Sequence, residues 1–479
     1  MRKWDDLRIF YAHFTTFVRH LHYFRTKFTI NLRMKKKVLG LTTLAAMWSM
    51  NMLAGGLLHN TNQHIAFVRM MARGASNEID AVYSNPAGTA FMDDGWQLSL
   101  NIQSAFQTRN VTTTFPLFTE ENHTRKFKGN AAAPVLPSLY ATYKKDRWTL
   151  SGFFGVTGGG GKCSFDHGLP MFNAAVMSGI YAKTAALPTG PLLPTAYDIS
   201  TAMKGRQYVF GGQFGVAYRI LPCFSAFAGM RMNYFNGNQS GHITATLKGS
   251  EQTLANIVLD CDQTGWGITP ILGVNYKWRG LTLAAKYEFK TNLNIENDTK
   301  TLITEPTEFR SALADFEDGV NTPSDLPSVL YVAAGYEFIP RKLRGTVEFH
   351  WYDDKHAEMA GDKQKALRHG TYEVLAGVEW DINKIFTVSA GFQNTDYGLS
   401  DDYQSHTSFA CDSYSIGLGA AANITSHIKV NIGYFWTNYK DYNKTVAAGT
   451  PGYCGTTLAG SDTFSRTNKV FGMGIDYKF

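Results

Sequence analysis

From about residue 96 onward, apolar and polar side chains alternate almost one for one. Trp96, Leu98, Leu100, Ile102 and Phe106 are interleaved with Gln97, Ser99, Asn101, Gln103 and Gln107. Successive side chains of a β-strand point to opposite faces, so this pattern predicts strands with one greasy face and one wet face. It returns in Tyr208–Tyr218, Phe224–Tyr234, Trp266–Trp278, Leu281–Phe289, Leu330–Phe338, Leu343–Trp351, Tyr372–Trp380, Phe386–Phe392, Tyr414–Ile424, Ile428–Trp436 and Phe471–Phe479. With Leu139–Tyr143 and Trp148–Val156 this gives about fourteen strands. The connections alternate as well. Short ones, such as Arg279-Gly280 and Thr425-Ser426-His427, lie between long ones at 110–134, 157–206, 236–264, 290–327, 353–371, 394–413 and 438–464. Aromatic residues on the apolar face flank the short turns, among them Tyr143, Trp148, Tyr218, Phe224, Trp278, Phe338, Trp380 and Phe386. Such rings suit a boundary between hydrocarbon and water. The expected fold class is all-β: a transmembrane antiparallel β-barrel, oily outside and wet inside.

Composition agrees with that picture. The mean hydropathy is −0.20, and no run of 18 apolar residues exists that could make a spanning helix. The net charge of +7 is local. Residues 1–37 hold ten Lys/Arg and two acids, which leaves 36 basic and 37 acidic residues elsewhere. A basic stripe for nucleic acid is therefore absent, and no nucleic-acid partner is expected. Within the basic segment, Met34-Lys35-Lys36-Lys37 followed by the mostly apolar stretch Val38 to Met52 and then Ala54-Gly55 reads as a signal peptide over 34–54. Residues 1–33 read as an upstream extension from a misassigned start, with Met34 the initiator; the other reading is a genuine basic extension. The five cysteines have no metal-ligand spacing. Cys163, Cys261, Cys411 and Cys454 fall in or beside long loops, where a Cys411–Cys454 disulfide and free thiols are both open, and Cys223 is expected to stay unpaired. His350, Asp353, Asp354 and His356 cluster near a strand end, but no nucleophile accompanies them in a catalytic signature. No enzyme activity, metal or cofactor is expected.

Residues 55–95 do not alternate. Ile65 to Ala75 is a short helix candidate, and Ser84-Asn85-Pro86-Ala87-Gly88 marks a turn, because proline disfavours helix at the residue before it. Arg73-Gly74-Ala75-Ser76 with the block Asn85, Pro86, Ala87, Gly88 resembles the N-terminal hatch of the FadL/TodX family of hydrophobic-compound transporters. Gln263 to Ile268 with Gly273 to Tyr276, Asp325-Leu326-Pro327-Ser328, and Phe471-Gly472 before the terminal Phe479 are similar to further stretches of that family. The resemblance covers roughly 55–479. It implies a hatch over 55–95 inside a barrel over 96–479. It also implies capture of ligand between external loops, an internal pocket, and sideways exit through a gap in the wall, without an energy source. The expected setting is the outer membrane of a Gram-negative bacterium. The expected partners are outer-membrane lipids, a hydrophobic small molecule such as a long-chain fatty acid, and the barrel assembly machinery that reads the C-terminal strand. A monomer is expected. A general porin, or an adhesin using the barrel as a scaffold, is the competing reading.

Two sets of residues are candidates for the ligand site. Loop 157–206 is rich in apolar residues, of which Met171, Phe172, Val176 and Met177 are singled out; such a patch marks a binding surface or a loop folded on its own core over the barrel mouth. By strand parity Arg231, Lys286, Glu288, Lys290, Arg344, Glu348 and His350 point inward. Arg231 and Lys286 are candidates to hold a carboxylate head group; the alternative is a ladder of mutually neutralising charges.

Overall fold

The computed structural model describes residues 62–185 and 187–479. The expected extension, signal peptide and first part of the hatch, 55–61, lie outside the described residues. Fourteen antiparallel strands form a closed wall: β1 (Gly95–Thr114), β2 (Thr124–Lys145), β3 (Trp148–Phe165), β4 (Tyr197–Leu221), β5 (Phe224–Leu247), β6 (Thr253–Trp278), β7 (Leu281–Glu288), β8 (Val329–Ile339), β9 (Leu343–Tyr352), β10 (Tyr372–Asp381), β11 (Phe386–Asp396), β12 (Ser413–Asn423), β13 (Ile428–Tyr439) and β14 (Gly460–Lys478). Each pairs with the next, and β1 closes on β14 from Gln97↔Lys478 to Thr114↔Ser461. Three further short strands decorate the long connections; Asn294–Glu305 pairs with the far half of β6, for example.

The wall is unequal in height. β7 to β13 have 8 to 12 residues each, whereas β4, β5 and β6 have 25, 24 and 26. A tilted strand needs about 9–11 residues to cross a bilayer, so the tall strands continue well beyond it. Their sequence changes at one level. On β5, Met230, Met232 and Tyr234 face out and are exposed, while Arg231, Asn233 and Phe235 face in and are buried. Beyond Tyr234 the outward positions become Asn236, Asn238, Ser240, His242 and Thr244, and the inward ones end in Ile243 and Ala245. The same reversal occurs on β6 between Trp266 and Thr264, and on β4 between Tyr208 and Arg206. These points nearly coincide in register, with Tyr234 beside Trp266 and Asn236 beside Tyr208. Oily-out and polar-in thus gives way to polar-out and oily-in, as the solvent outside the wall changes from lipid to water. At the opposite end Trp96 stacks near Tyr143 and Trp148 near Tyr218 beside the short turns, at 4.9 and 4.3 Å between ring centroids. Phe479 is exposed at the same rim.

The reversal explains where the expected loops were too long. Residues 110–114 and 124–134, 197–206, and 236–247 with 253–264 are paired strand rather than loop. The helix candidate at 65–75 forms only over α1 (Ile65–Arg69), ending where Met70 turns extended. A second short helix, α2 (Ala81–Ser84), leads into the turn at Asn85, and α3 (Pro170–Thr184) lies in the long β3–β4 connection. The five cysteines are free thiols, so no Cys411–Cys454 bond forms.

Candidate functional site

Residues 62–92 lie inside the ring of strands and touch it on opposite sides. Ile65, Val68, Met70 and Met71 pack with Leu375, Phe435 and Val470 of β10, β13 and β14. Ile79, Val82, Tyr83 and Met92 pack with Tyr140 of β2 and Phe153 of β3, and Ala87 and Ala90 with Ala217, Phe227 and Ile271 of β4 to β6. The approach is close enough to require a missing side chain: a Cβ at Gly391 would sit 2.6 Å from the Met71 nitrogen. The block picked out in the sequence makes part of the polar bonding of this packing. Asn85 Nδ2 donates to the Ser76 carbonyl at 2.9 Å and to Asn275 Oδ1 of β6 at 2.8 Å, and the Ala87 carbonyl accepts from Ser225 of β5 at 2.7 Å. Pro86 opens a 3-10 turn, where its absent N–H costs nothing. Gly88 presses against the Ser76 carbonyl, 2.6 Å from where a Cβ would stand.

Charge ties the segment to the wall. Glu379 of β10 receives Arg69 and Arg73 from the segment, at 2.5 and 2.8 Å, and Arg344 of β9 at 2.9 Å. Arg73 also forks onto Asp80 at 2.7 and 3.0 Å. Such buried groups are tolerated because each cation has a carboxylate and each carboxylate several donors. Arg231 and Lys286 belong to the same kind of lattice. Arg231 pairs with Glu288 through two bonds, at 2.8 and 2.9 Å, and Lys286 Nζ bonds Glu288 at 2.8 Å and the Tyr83 carbonyl at 2.8 Å. Of the other inward charges, Glu348 accepts from the Gly74 N–H and His350 lies between Glu348 and Glu373, at 2.6 and 2.8 Å. Lys290 reaches Asp325 at 2.9 Å. A cavity of about 40 Å³, bordered by Tyr83, Lys286, Glu348, His350 and Glu373 together with Phe67 and Met71, lies among them; that is room for a few waters.

The far end of the barrel is built differently. The inward faces of the tall strands supply Phe127, Cys163, Phe165, Met203, Ile243, Ile257 and Leu259, and α3 lies against them with Met171, Phe172, Val176 and Met177 all buried. The four apolar candidates are therefore together in one cluster with the strand walls, while Arg231 and Lys286 belong to the charged lattice lower down. Burial pushes the Cys454 thiol, at the edge of this cluster, well above its usual range, so it is not a thiolate nucleophile.

Between these two layers the wall itself is broken. β2 and β3 pair from Gly129↔Phe165 to Ala132↔Lys162, and again from Leu139↔Phe154, but not between. On β2 the gap holds Pro134 and Pro137, neither of which has an N–H to give to a ladder. On β3 it holds Gly158 to Gly161, where the register against β4 slips twice. Val135, Leu139 and Phe154 at its rim face outward and are exposed. Above the gap Ala131 and Cys163 belong to the apolar cluster; below it Tyr140 and Phe153 hold the inner segment. Only strand register brings the two prolines opposite the four glycines.

The closed antiparallel barrel of fourteen strands has counterparts among solved structures. The chain has the fold of a FadL homologue from Pseudomonas aeruginosa, at TM-score 0.63 and 13% identity over 89% of this chain and 100% of that one. It is similar to the toluene transporter TodX of P. putida (TM-score 0.53, 12% identity, 88% and 99% covered) and the toluene transporter TbuX of Ralstonia pickettii (TM-score 0.50, 13% identity, 84% and 94% covered). No family model and no curated protein sequence matches the chain.

Proposed function

We propose that the protein is an outer-membrane channel of a Gram-negative bacterium for passive uptake of hydrophobic molecules, long-chain fatty acids foremost. Ligand enters the apolar mouth around α3, where Met171, Phe172, Val176 and Met177 are flexible enough to part around a chain. Residues 62–92 act as the hatch: they deny a straight aqueous path and send the ligand sideways. The observation that carries this reading is the break between β2 and β3, which joins the apolar cluster to the lipid-facing surface at Val135, Leu139 and Phe154. An apolar molecule gains free energy at each stage by staying out of water, so no energy source is needed. The filled bore argues against the general porin, which would carry a steady ionic current.

The test is uptake of oleate by liposomes carrying the protein. Deleting Gly159 and Gly160 removes the two extra residues that β3 carries against β4 between Val156 and Gly161, and should let the ladder close. Uptake then falls toward that of empty liposomes. Undiminished uptake would reject sideways exit, and no uptake by the parent protein would reject the channel itself.

A further inference from the structure

Above the lipid band, the outward faces of β2, β3 and β4 carry one sign of charge. β2 presents Lys126 and Lys128, β3 presents Lys162, and β4 presents Lys204 and Arg206, all of them exposed. Register gathers them into one patch. Lys162 and Arg206 are direct cross-strand partners; in the next outward row Lys204 lies beside Ser164, and Ser164 beside Asn130 of β2. Like charges set opposite one another weaken a ladder, so the pair costs the wall stability unless negative charge is supplied from outside it. The wall supplies none. β2 and β3 contain no acidic residue, and the one on β4, Asp198, lies at its far end with Lys248 at 3.7 Å. Among the described residues none of the five cations is in an ion pair. On β6 the sign is reversed: Asp260 and Asp262 face outward there, and Asn238 of β5 donates to them at 3.0 and 2.9 Å. The excess of cations thus belongs to β2, β3 and β4 and not to the tall strands in general.

Directly below the patch the wall is oily. Lys162 is the last residue of β3 to pair with β2 before the break. Val135, Leu139 and Phe154 are exposed under it, and Phe214 continues the same face on β4. Arg206 stands two residues beyond Tyr208, about 7 Å along the strand from the last lipid-facing ring. That is the depth at which hydrocarbon gives way to head groups, and the long connections put it on the outer side of the membrane. From the row of Ala132, Lys162 and Arg206 up to Lys126 the patch climbs six residues of β2, about 20 Å. One glycerol phosphate cannot cover that height; a head group of several phosphorylated sugars can. We propose that this face holds a phosphorylated glycolipid of the outer leaflet. Its phosphates lie on Lys162, Lys204 and Arg206, its outer sugars reach Lys128 and Lys126, and its acyl chains lie over Val135, Leu139 and Phe154. Cations at this depth attract phosphate through charge-assisted hydrogen bonds. The lipid would border the break in the wall from outside. The inference takes from the preceding section only the outer membrane as a setting and does not depend on what the channel carries.

The test measures binding of diphosphoryl lipid A, and of the same lipid stripped of its phosphates, to the full-length protein in non-ionic detergent. Each cation near a lipid surface is worth about fivefold in affinity. The parent should prefer the phosphorylated lipid by about thirtyfold or more, and the preference should shrink as salt is raised. In the triple variant Lys162→Gln/Lys204→Gln/Arg206→Gln the ratio falls to about threefold or less. Arg206→Lys keeps most of it. Lys300→Gln, which removes an outward cation paired with Asp298, leaves it unchanged. The three side chains are exposed and include a like-charge pair, so the barrel should fold without them; should the triple variant fail to fold, Arg206→Gln alone must still lower the ratio by about twofold or more. Equal binding of the two lipids by the parent, or an unchanged ratio in the triple variant, overturns the proposal. So does full displacement of the lipid by inorganic phosphate, which would make the patch a site for free anions. Oleate uptake by the same preparations separates the two claims: uptake without a phosphate preference sinks the lipid site alone, and a phosphate preference without uptake sinks the channel alone.

Discussion

Along β4, β5 and β6 the same strands serve two solvents. Below Tyr208, Tyr234 and Trp266 the wall meets lipid outside and encloses polar side chains; above them it meets water outside and encloses Met203, Ile243, Ile257 and Leu259. The two layers balance their interiors by different means. The lower one buries charges and pairs them, with three guanidinium groups on Glu379 and two cations on Glu288. The upper one buries hydrocarbon around α3. A ligand that must leave water is served by the second arrangement, and an inner segment that must stay in register is served by the first. Strand geometry is common to both, so the difference is written wholly in which residue types occupy the two parities.

The lower layer can be broken at one residue. Glu379→Ala leaves Arg69, Arg73 and Arg344 sharing what remains, and removing one partner from a buried ion lattice costs about 3–5 kcal/mol. Urea unfolding in lipid vesicles should show a loss of that order. Planar-bilayer recordings should show ionic current as residues 62–92 lose their anchor. A variant as stable and as silent as the parent would mean that apolar packing alone holds the segment.

The boundary between layers is sharpened by one substitution made twice on the same face of β6. Leu272 faces out below Trp266, and Val258 faces out above it. Leu272→Arg places a charge in hydrocarbon and should cost about 2–4 kcal/mol near the midplane. Val258→Arg meets water and should fall within about 0.5 kcal/mol of the parent. Equal costs would erase the reversal at Trp266. A smaller effect is expected from Gly88→Ala, whose Cβ would stand 2.6 Å from the Ser76 carbonyl; overpacking of this kind costs about 1–3 kcal/mol. It should loosen the bonds of Asn85 and Ala87 to β6 and β5, seen as faster amide exchange at residues 85–90, and unchanged exchange there would contradict it.

This contrast also decides what could be seen in the sequence. The fourteen wall strands were legible wherever apolar residues kept one parity through the lipid band, as in Phe224–Tyr234. The upper halves were not, because the expected sign of the alternation was carried past its limit. His242 to Leu247 alternates as regularly as the residues below it, with Ile243 and Ala245 on the inward parity. The apolar character of the segment around Met171 was legible, and one of its two readings packed it over the barrel mouth; what was not legible is that strands, read as loops, cover it. Arg231, Lys286 and Glu288 were all placed inward by parity; Glu288 lies two residues from Lys286 on β7, but only register brings Arg231 of β5 to it.

The least of the expected effects is a slope with pH, and it reports on the upper layer alone. Burial, followed by the nearby charges of Lys444 and Arg109, holds Lys363 down to about 7, against about 10.4 in an unfolded chain. Between those values the unfolded chain binds the extra proton, so stability should rise with pH from about 7 toward 10. The slope cannot exceed about 1.4 kcal/mol per pH unit for one group, and a net rise of about 1 kcal/mol between pH 7 and 9 is expected once other groups are included. Lys363→Met should flatten it. A slope that survives the substitution would place its origin elsewhere.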